Sequence, residues 1–122
     1  MTRSRQVLGQ AGEELAARLL GSKGYRLVGR NVRLKGGEID IVAWDGHVLV
    51  FVEVRTRRGA LYGSALESVD ARKRERLMRL ARAYLLANRI SDVNCRFDIV
   101  SVTFRPGASS PEVNHVQDAF TA

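Results

Sequence analysis

Residues 37–55, GEIDIVAWDGHVLVFVEVR, hold two apolar runs joined at Asp45-Gly46, with Glu38, Asp40 and Glu53 set among residues that prefer a sheet interior. Asp-Gly between two such runs is a strong hairpin signal, so Glu38 to Trp44 and His47 to Thr56 read as antiparallel strands. With Asp45-Gly46 as a two-residue turn, Trp44 pairs with His47, Phe51 faces Asp40 and Glu53 faces Glu38. Side chains alternate along a strand, so this register gathers Glu38, Asp40, Glu53 and Arg55 on one face.

Like charges opposed across a sheet repel, and burying them unpaired costs on the order of several kcal/mol. Something cationic must compensate. One candidate is Mg²⁺ or Mn²⁺, hard ions that take carboxylate oxygens. Opposed cross-strand positions lie about 4.5–5.5 Å apart and diagonal ones about 7–8 Å, which lets Asp40 and Glu53 share such an ion. The other candidate is a solvated face on which Arg33, Arg55 and Arg57 answer the acids. Spacing leaves both open.

Upstream, Tyr25 to Leu34 reads as a strand that ends at the turn Lys35-Gly36-Gly37. Before it, a first helix of about five turns is capped by Ser4 and stopped at Gly24, with Leu8, Ala11, Gly12, Leu15 and Leu19 on one stripe. Glu14 stands four residues before Arg18, which predicts a surface salt bridge. Glu13 instead shares a face with Gly9, Ala16 and Leu20, small or apolar neighbours that let a helix approach a sheet; if either acid reaches the site it is Glu13, and a solvated helix charge is the commoner role of any single Glu.

Downstream, residues 57–65 read as a basic, glycine-containing loop. Arg57 and Arg58 there are placed to bind a substrate strand, and Tyr62-Gly63 is either a contact to DNA or a turn. A second helix runs from Leu66 or Ser68 to Arg89, with Leu66, Val69, Leu77, Leu80 and Tyr84 as its buried stripe. Lys73 falls in the centre of that stripe and points toward the sheet, whereas Arg72, Arg76, Arg79 and Arg82 spread over the outer face. Phe97 to Phe104 forms a further strand, in which Asp98 reads as structural and at the end away from the acids. Val113 and Val116 mark a short extended tail. Neither His47 nor His115 has ligand spacing for a metal.

The order predicts one α/β domain over residues 1–122: a helix, a three-strand antiparallel meander, a crossover helix, and a fourth strand parallel to the third. Net charge is +7 and the pI about 10.5, which favours a polyanionic partner, nucleic acid first. The basic surface expected to meet it includes Arg33, Lys35, Arg57, Arg58, Arg72 and Arg76. The lone Cys95 cannot form an internal disulfide, and the basic N-terminus lacks an apolar signal core, which fits a reducing, cytoplasmic setting. The longest apolar run, Val48 to Val52, is far shorter than the roughly 20 residues of a bilayer span, so no membrane partner is expected.

Taken in order, Gly12-Glu13, GEIDIVA, FVEVRTR, YGSALESVDARK and RFDIVSV resemble the YraN-like family of uncharacterised bacterial proteins, itself similar to archaeal Holliday-junction resolvases. The resemblance covers nearly the whole chain. It implies a restriction-endonuclease-like core with a PD-(D/E)xK type site: Asp40 as first acid, Glu53 as second, Arg55 at the position usually held by lysine, and Glu13 as the helical acid of the resolvase branch. Glu38 matches the strand motif without a clear chemical role. Implied with these are bound Mg²⁺ or Mn²⁺, hydrolysis of DNA phosphodiesters, branched DNA as a substrate, and a homodimer able to cut two symmetric strands.

Arg55 departs from that pattern. An arginine stays protonated, with a pKa above about 12, and is a poor general base. Either the metal alone activates the water, or the base comes from elsewhere, with Lys73 the candidate, or the site is inactive. The plainer role for Lys73 is a stem that covers core surface while its ammonium snorkels to water. An inactive site would leave a non-catalytic nucleic-acid-binding module of the same fold acting in DNA processing, or a protein-interaction scaffold.

Overall fold

The hairpin closes one residue later than its sequence suggests. Asp45 pairs with Val48, leaving Gly46 and His47 as the loop, and Phe51 faces Val42 rather than Asp40. Gly46 takes the left-handed φ of 59°, which places the glycine first in the loop and returns Asp45 to the strand. The register moves by two residues. Because the side-chain period is two, Phe51 and Glu53 keep their face while their partners change.

The computed structural model describes residues 3–59 and 69–121, with side chains from Val7 onward. The elements are α1 (Arg3–Ser22), β1 (Arg26–Leu34), β2 (Gly37–Asp45), β3 (Val48–Arg58), α2 (Ala71–Ala87), β4 (Asn94–Phe104) and β5 (Glu112–Phe120). They form a mixed α/β fold whose five-stranded sheet has the order β1-β2-β3-β4-β5. β1, β2 and β3 are antiparallel neighbours and β3 and β4 run parallel across the α2 crossover, as the sequence predicts. The expected extended tail is a full strand, β5, paired with β4. No helix among the described residues is long and apolar enough to cross a membrane.

One helix covers each face of the sheet. On one side Ala16, Ala17 and Leu20 of α1 pack on Ile41, Ala43, Val50, Val52, Val100 and Val102. On the other, Leu77, Leu80, Ala81 and Tyr84 of α2 pack on Ile39, Val42, Leu49, Phe51, Phe97 and Ile99. Residues 49–52 are buried on both sides in strict alternation, as a central strand requires.

The face that α1 buries is not the leucine stripe. Gly12, Ala16, Ala17 and Leu20 are buried, while Leu15 and Leu19 are half-buried and Ala11 is exposed. Small residues win because they let the helix axis come close: a Cβ on Gly12 would lie 2.1 Å from Oγ1 of Thr56. α2 starts at Ala71, not at Leu66 or Ser68, because Asp70 is its N-cap and accepts a hydrogen bond from the Lys73 N–H at 3.0 Å. It ends at Ala87, with Asn88 as C-cap. Arg57 and Arg58 belong to β3, paired with Thr103 and Phe104, rather than to a loop. Tyr62-Gly63, Leu66 and Ser68 lie outside the described residues.

Alternation in β2 breaks once. Ile39 packs in the α2 layer and Ile41, two residues on, in the α1 layer. Across the ladder, Asn31 sits between the positions paired with Ile41 and Ile39 and has a φ of 51°. Both strands are therefore irregular at the level of Asp40.

Candidate active site at the fork of two strands

The β2–β3 ladder runs as far as Ile41 and Val52. At that point the Val54 N–H donates to Oδ2 of Asp40 at 2.8 Å, so a carboxylate serves a backbone donor where strand pairing ends. Glu53 neighbours this bond and keeps the α2 face, its side chain 13% exposed.

Burial and the Glu53 charge push the Asp40 carboxyl up to about 7, against the opposing pull of the Val54 hydrogen bond, with Glu13 and Glu38 adding to the repulsion. Burial also raises Glu53, opposed by the charges of Arg55, Arg76 and Lys73 in that order. Asp40 has no cationic partner among the described residues.

The single acidic face expected from the sequence is not formed. Glu38 is exposed and lies 3.6 Å from Arg33, its cross-strand neighbour, so this acid belongs to a surface ion pair. Asp40 stands where β2 switches layers. The charge of Glu13, half-buried on α1, reaches Asp40 from the face opposite α2. Glu14 is bound to Arg18 at 3.3 Å, as the spacing predicts, and also to Arg30 at 3.1 Å.

Arg55 lies on the face of Glu53, its Nη1 4.0 Å from Oε1. Lys73, in the first turn of α2, is half-buried and its charge is felt at Glu53, in line with its predicted inward direction. Arg76 is exposed, yet its charge bears on Glu53 more strongly than that of Lys73. A long guanidinium on the helix flank reaches what the helical wheel assigns to the inner stripe. Arg72 and Arg58 are exposed and Arg57 is half-buried at the end of β3, while Lys35 is exposed in the β1–β2 turn.

Among the described residues, no three His, Cys, Asp or Glu side chains form a ready metal cage. A pair of carboxylates is nonetheless a donor set that Mg²⁺ accepts, since it keeps several waters and commonly completes its shell with substrate phosphate. Asp40 and Glu53 supply that pair.

A second polar cluster lies on the α1 face. Asp98 is fully buried and, rather than standing at the far end of the sheet, pairs with Val52, one step from Glu53 along the register but facing the other way. Its carboxylate accepts from Arg96 Nε at 2.9 Å and Nη2 at 3.1 Å, Tyr25 Oη at 3.2 Å and the Asp118 N–H at 3.0 Å. His115 Nε2 lies 2.8 Å from it, and Lys23 Nζ lies 2.8 Å from His115 Nδ1. An ammonium can only donate, so Nδ1 accepts and the imidazole is the neutral tautomer whose Nε2–H donates to Asp98.

Arg96 also reaches Asp45 at 2.8 Å and the Tyr25 hydroxyl, which accepts from Gln117 at 2.9 Å. Burial alone would raise Asp98, but the hydrogen bonds from His115, Arg96 and Asp118 outweigh it and hold the carboxyl at about 2. Tyr25 is pushed up to about 12 by burial and the Asp98 charge. The structural role expected of Asp98 thus has a definite content: it ties β4, β5 and the start of β1 together. The signal available in the sequence is Arg96 two residues before Asp98, a same-face pair on a strand.

Residues 12–102 match the model of a family described as uncharacterised protein family UPF0102. A UPF0102 protein of Symbiobacterium thermophilum is 50% identical over 120 residues, covering 98% of this chain and 99% of that one. One from Moorella thermoacetica is 52% identical over 102 residues, 84% of this chain and 85% of its own length. One from Pseudomonas aeruginosa is 44% identical over 115 residues, 93% and 92% of the two chains.

Proposed function

The chain belongs to the UPF0102 (YraN-like) family, and from the fork of β2 and β3 we propose that it is a divalent-metal-dependent nuclease that hydrolyses DNA phosphodiesters. The observation that carries this reading is Asp40, a half-buried carboxyl pushed up to about 7 beside Glu53 with no cation of its own among the described residues. A structural ion pair would bring a cation to both acids. This site brings cations to Glu53 alone.

Asp40 and Glu53 would hold Mg²⁺ or Mn²⁺, with Glu13 as the further acid on the opposite side. Such an ion supplies an activated water and stabilises charge on the phosphorus oxygens. Arg55, always protonated, opposes the burial that raises Glu53 and offers a guanidinium to a phosphate oxygen. Arg76 and Lys73 add to that opposing pull from α2. The net charge of +7 favours a polyanionic substrate.

Support for the finer fold reading, a restriction-endonuclease-like core with a PD-(D/E)xK type site, is the order of a helix, an antiparallel meander, a crossover helix and a parallel fourth strand. Asp40, Glu53 and Arg55 occupy the positions that the resemblance gives to its first acid, second acid and lysine.

Arg55 also favours a second reading, a non-catalytic nucleic-acid-binding module of the same fold acting in DNA processing, because a permanently protonated group stands where a titratable one is usual. The deciding experiment incubates the protein with linear, single-stranded, flapped and four-way DNA and either metal, beside Asp40→Asn and Glu53→Gln. Metal-dependent cleavage lost in both variants is the expected result. Cleavage that survives both substitutions removes the site assignment. Salt-sensitive binding without cleavage in either metal selects the second reading.

A further inference from the structure

Lys35, Arg76 and Arg79 line one cavity of about 200 Å³, whose wall is completed by Gly36 and the buried Leu80. Arg76, Arg79 and Leu80 are spaced three and four residues apart, which places them on one flank of α2. The β1–β2 turn brings Lys35 opposite them. Gly36 and Gly37 take φ of 97° and 156°, and a Cβ on Gly37 would lie 3.2 Å from Cδ1 of Leu80, so the turn is seated against the helix.

Lys35 and Arg79 have neither an ion-pair nor a hydrogen-bond partner among the described residues. Several other arginines stand in ion pairs: Arg18 and Arg30 with Glu14, Arg33 with Glu38, Arg96 with Asp98, Arg105 with Glu112. Like charges gathered without counter-charge destabilise a fold, and a ligand carrying the opposite charge offsets that cost.

We infer that this cavity receives the terminal phosphate of a nucleic-acid strand. A terminal phosphomonoester carries a charge of about −1.5 to −2 near neutral pH, against roughly −1 for an internal phosphodiester, and presents three acceptor oxygens. Two guanidiniums and an ammonium in one concavity match the former better, since each arginine can engage two of those oxygens. A concavity also suits a chain end, whereas a continuing strand needs a groove open in both directions.

Arg76 lines this cavity and its charge is felt at Glu53, so one side chain links an anchored end to the acid fork. The strand then enters end-first, and the position of any cut is measured from that end. The inference rests on nucleic acid being the partner but not on cleavage.

The test is metal-free binding, followed by fluorescence anisotropy with internally labelled single-stranded oligonucleotides that carry a 5′-phosphate, a 3′-phosphate or hydroxyls at both ends. Wild-type protein is compared with Lys35→Gln/Arg79→Gln, both exposed positions. One phosphorylated strand should bind about tenfold more tightly than the hydroxyl-ended strand, and the double variant should bring that ratio to one; which phosphate wins names the end. Equal affinity for all three strands, or a preference that persists in the double variant, overturns the pocket and leaves the nucleic-acid reading standing. No binding to any strand overturns both.

Discussion

Gly12 lies so close to Thr56 that a methyl group on its Cα would stand 2.1 Å from the threonine Oγ1. This contact sets how near α1 comes to β3, and Glu13 is the next residue along the helix. Helix propensity alone makes Gly12→Ala stabilising by about 1 kcal/mol. Overpacking costs about 1–3 kcal/mol, and a β-branched threonine in a strand has little rotamer freedom with which to yield. A net loss of stability in urea denaturation is expected, with most of it recovered by adding Thr56→Ala. A single variant more stable than wild type would contradict the close approach.

Asp40→Asn should stabilise the metal-free protein. The folded carboxyl is raised to about 7 from its usual 3.8, so below that lower value both states hold the proton and the substitution changes little. As pH rises from about 4 to 7 the unfolded chain releases its proton while the folded one keeps it, and wild-type stability falls. Asparagine keeps an oxygen for the Val54 N–H without the repulsion from Glu53. The gain above pH 7 is on the order of a few kcal/mol, read from denaturation midpoints across that range.

Divalent ions should close much of that gap. Mg²⁺ or Mn²⁺ at about a hundredfold excess over its Kd adds about 2.7 kcal/mol to a protein that binds it only when folded. Thermal denaturation should show a shift of that size for wild type and none for Asp40→Asn or Glu53→Gln. An equal shift in all three would place the ion elsewhere.

Acid should unlock the other side of the sheet. Asp98 is held at about 2 against an unfolded 3.8, a lowered carboxylate, so its contribution is complete above about pH 4 and is lost as pH falls toward 2. The loss is about 2 kcal/mol, and the acid limb of the stability profile should flatten in Asp98→Asn. That variant also leaves the half-buried Arg96 with Asp45 as its remaining carboxylate, which lowers stability at neutral pH. Urea denaturation at pH 2, 4 and 7 measures both effects.

Lys73→Ala separates chemistry from packing. If the ammonium assists the reaction, cleavage should fall by at least about tenfold with little change in melting temperature. Full cleavage activity in the variant would remove the lysine from the mechanism.

The sheet topology was legible because Gly37 to Arg55 carries strand alternation and a glycine turn, and because the long α2 segment permits a crossover. The Glu14–Arg18 pair followed from helical spacing. The register was not legible, since a shift of two residues leaves every apolar side chain of β3 on its own face. Nor was the packing face of α1: counting leucines finds the greasiest stripe, whereas close approach selects Gly12, Ala16 and Ala17.

Asp40 and Glu53 were found together for a reason that is partly wrong. They meet across a fork rather than on one pleated face, because nothing in composition marks the residue at which β2 changes layers. The Tyr25–Asp98 contact spans 73 positions of sequence and needs β5 in place, and β5 shows only Val113 and Val116 as an apolar signal.

Ile39 and Ile41 anchor in separate layers, and the residue between them carries the charge that most resists burial. Asp40 is thus fastened to both halves of the molecule at once, much as a strain gauge is bonded to two plates. Whatever neutralises it, proton or cation, should tighten α1 and α2 together, so slowed amide exchange at Ala16 to Leu20 and at Leu77 to Tyr84 in the same titration would report from a distance on the state of one side chain.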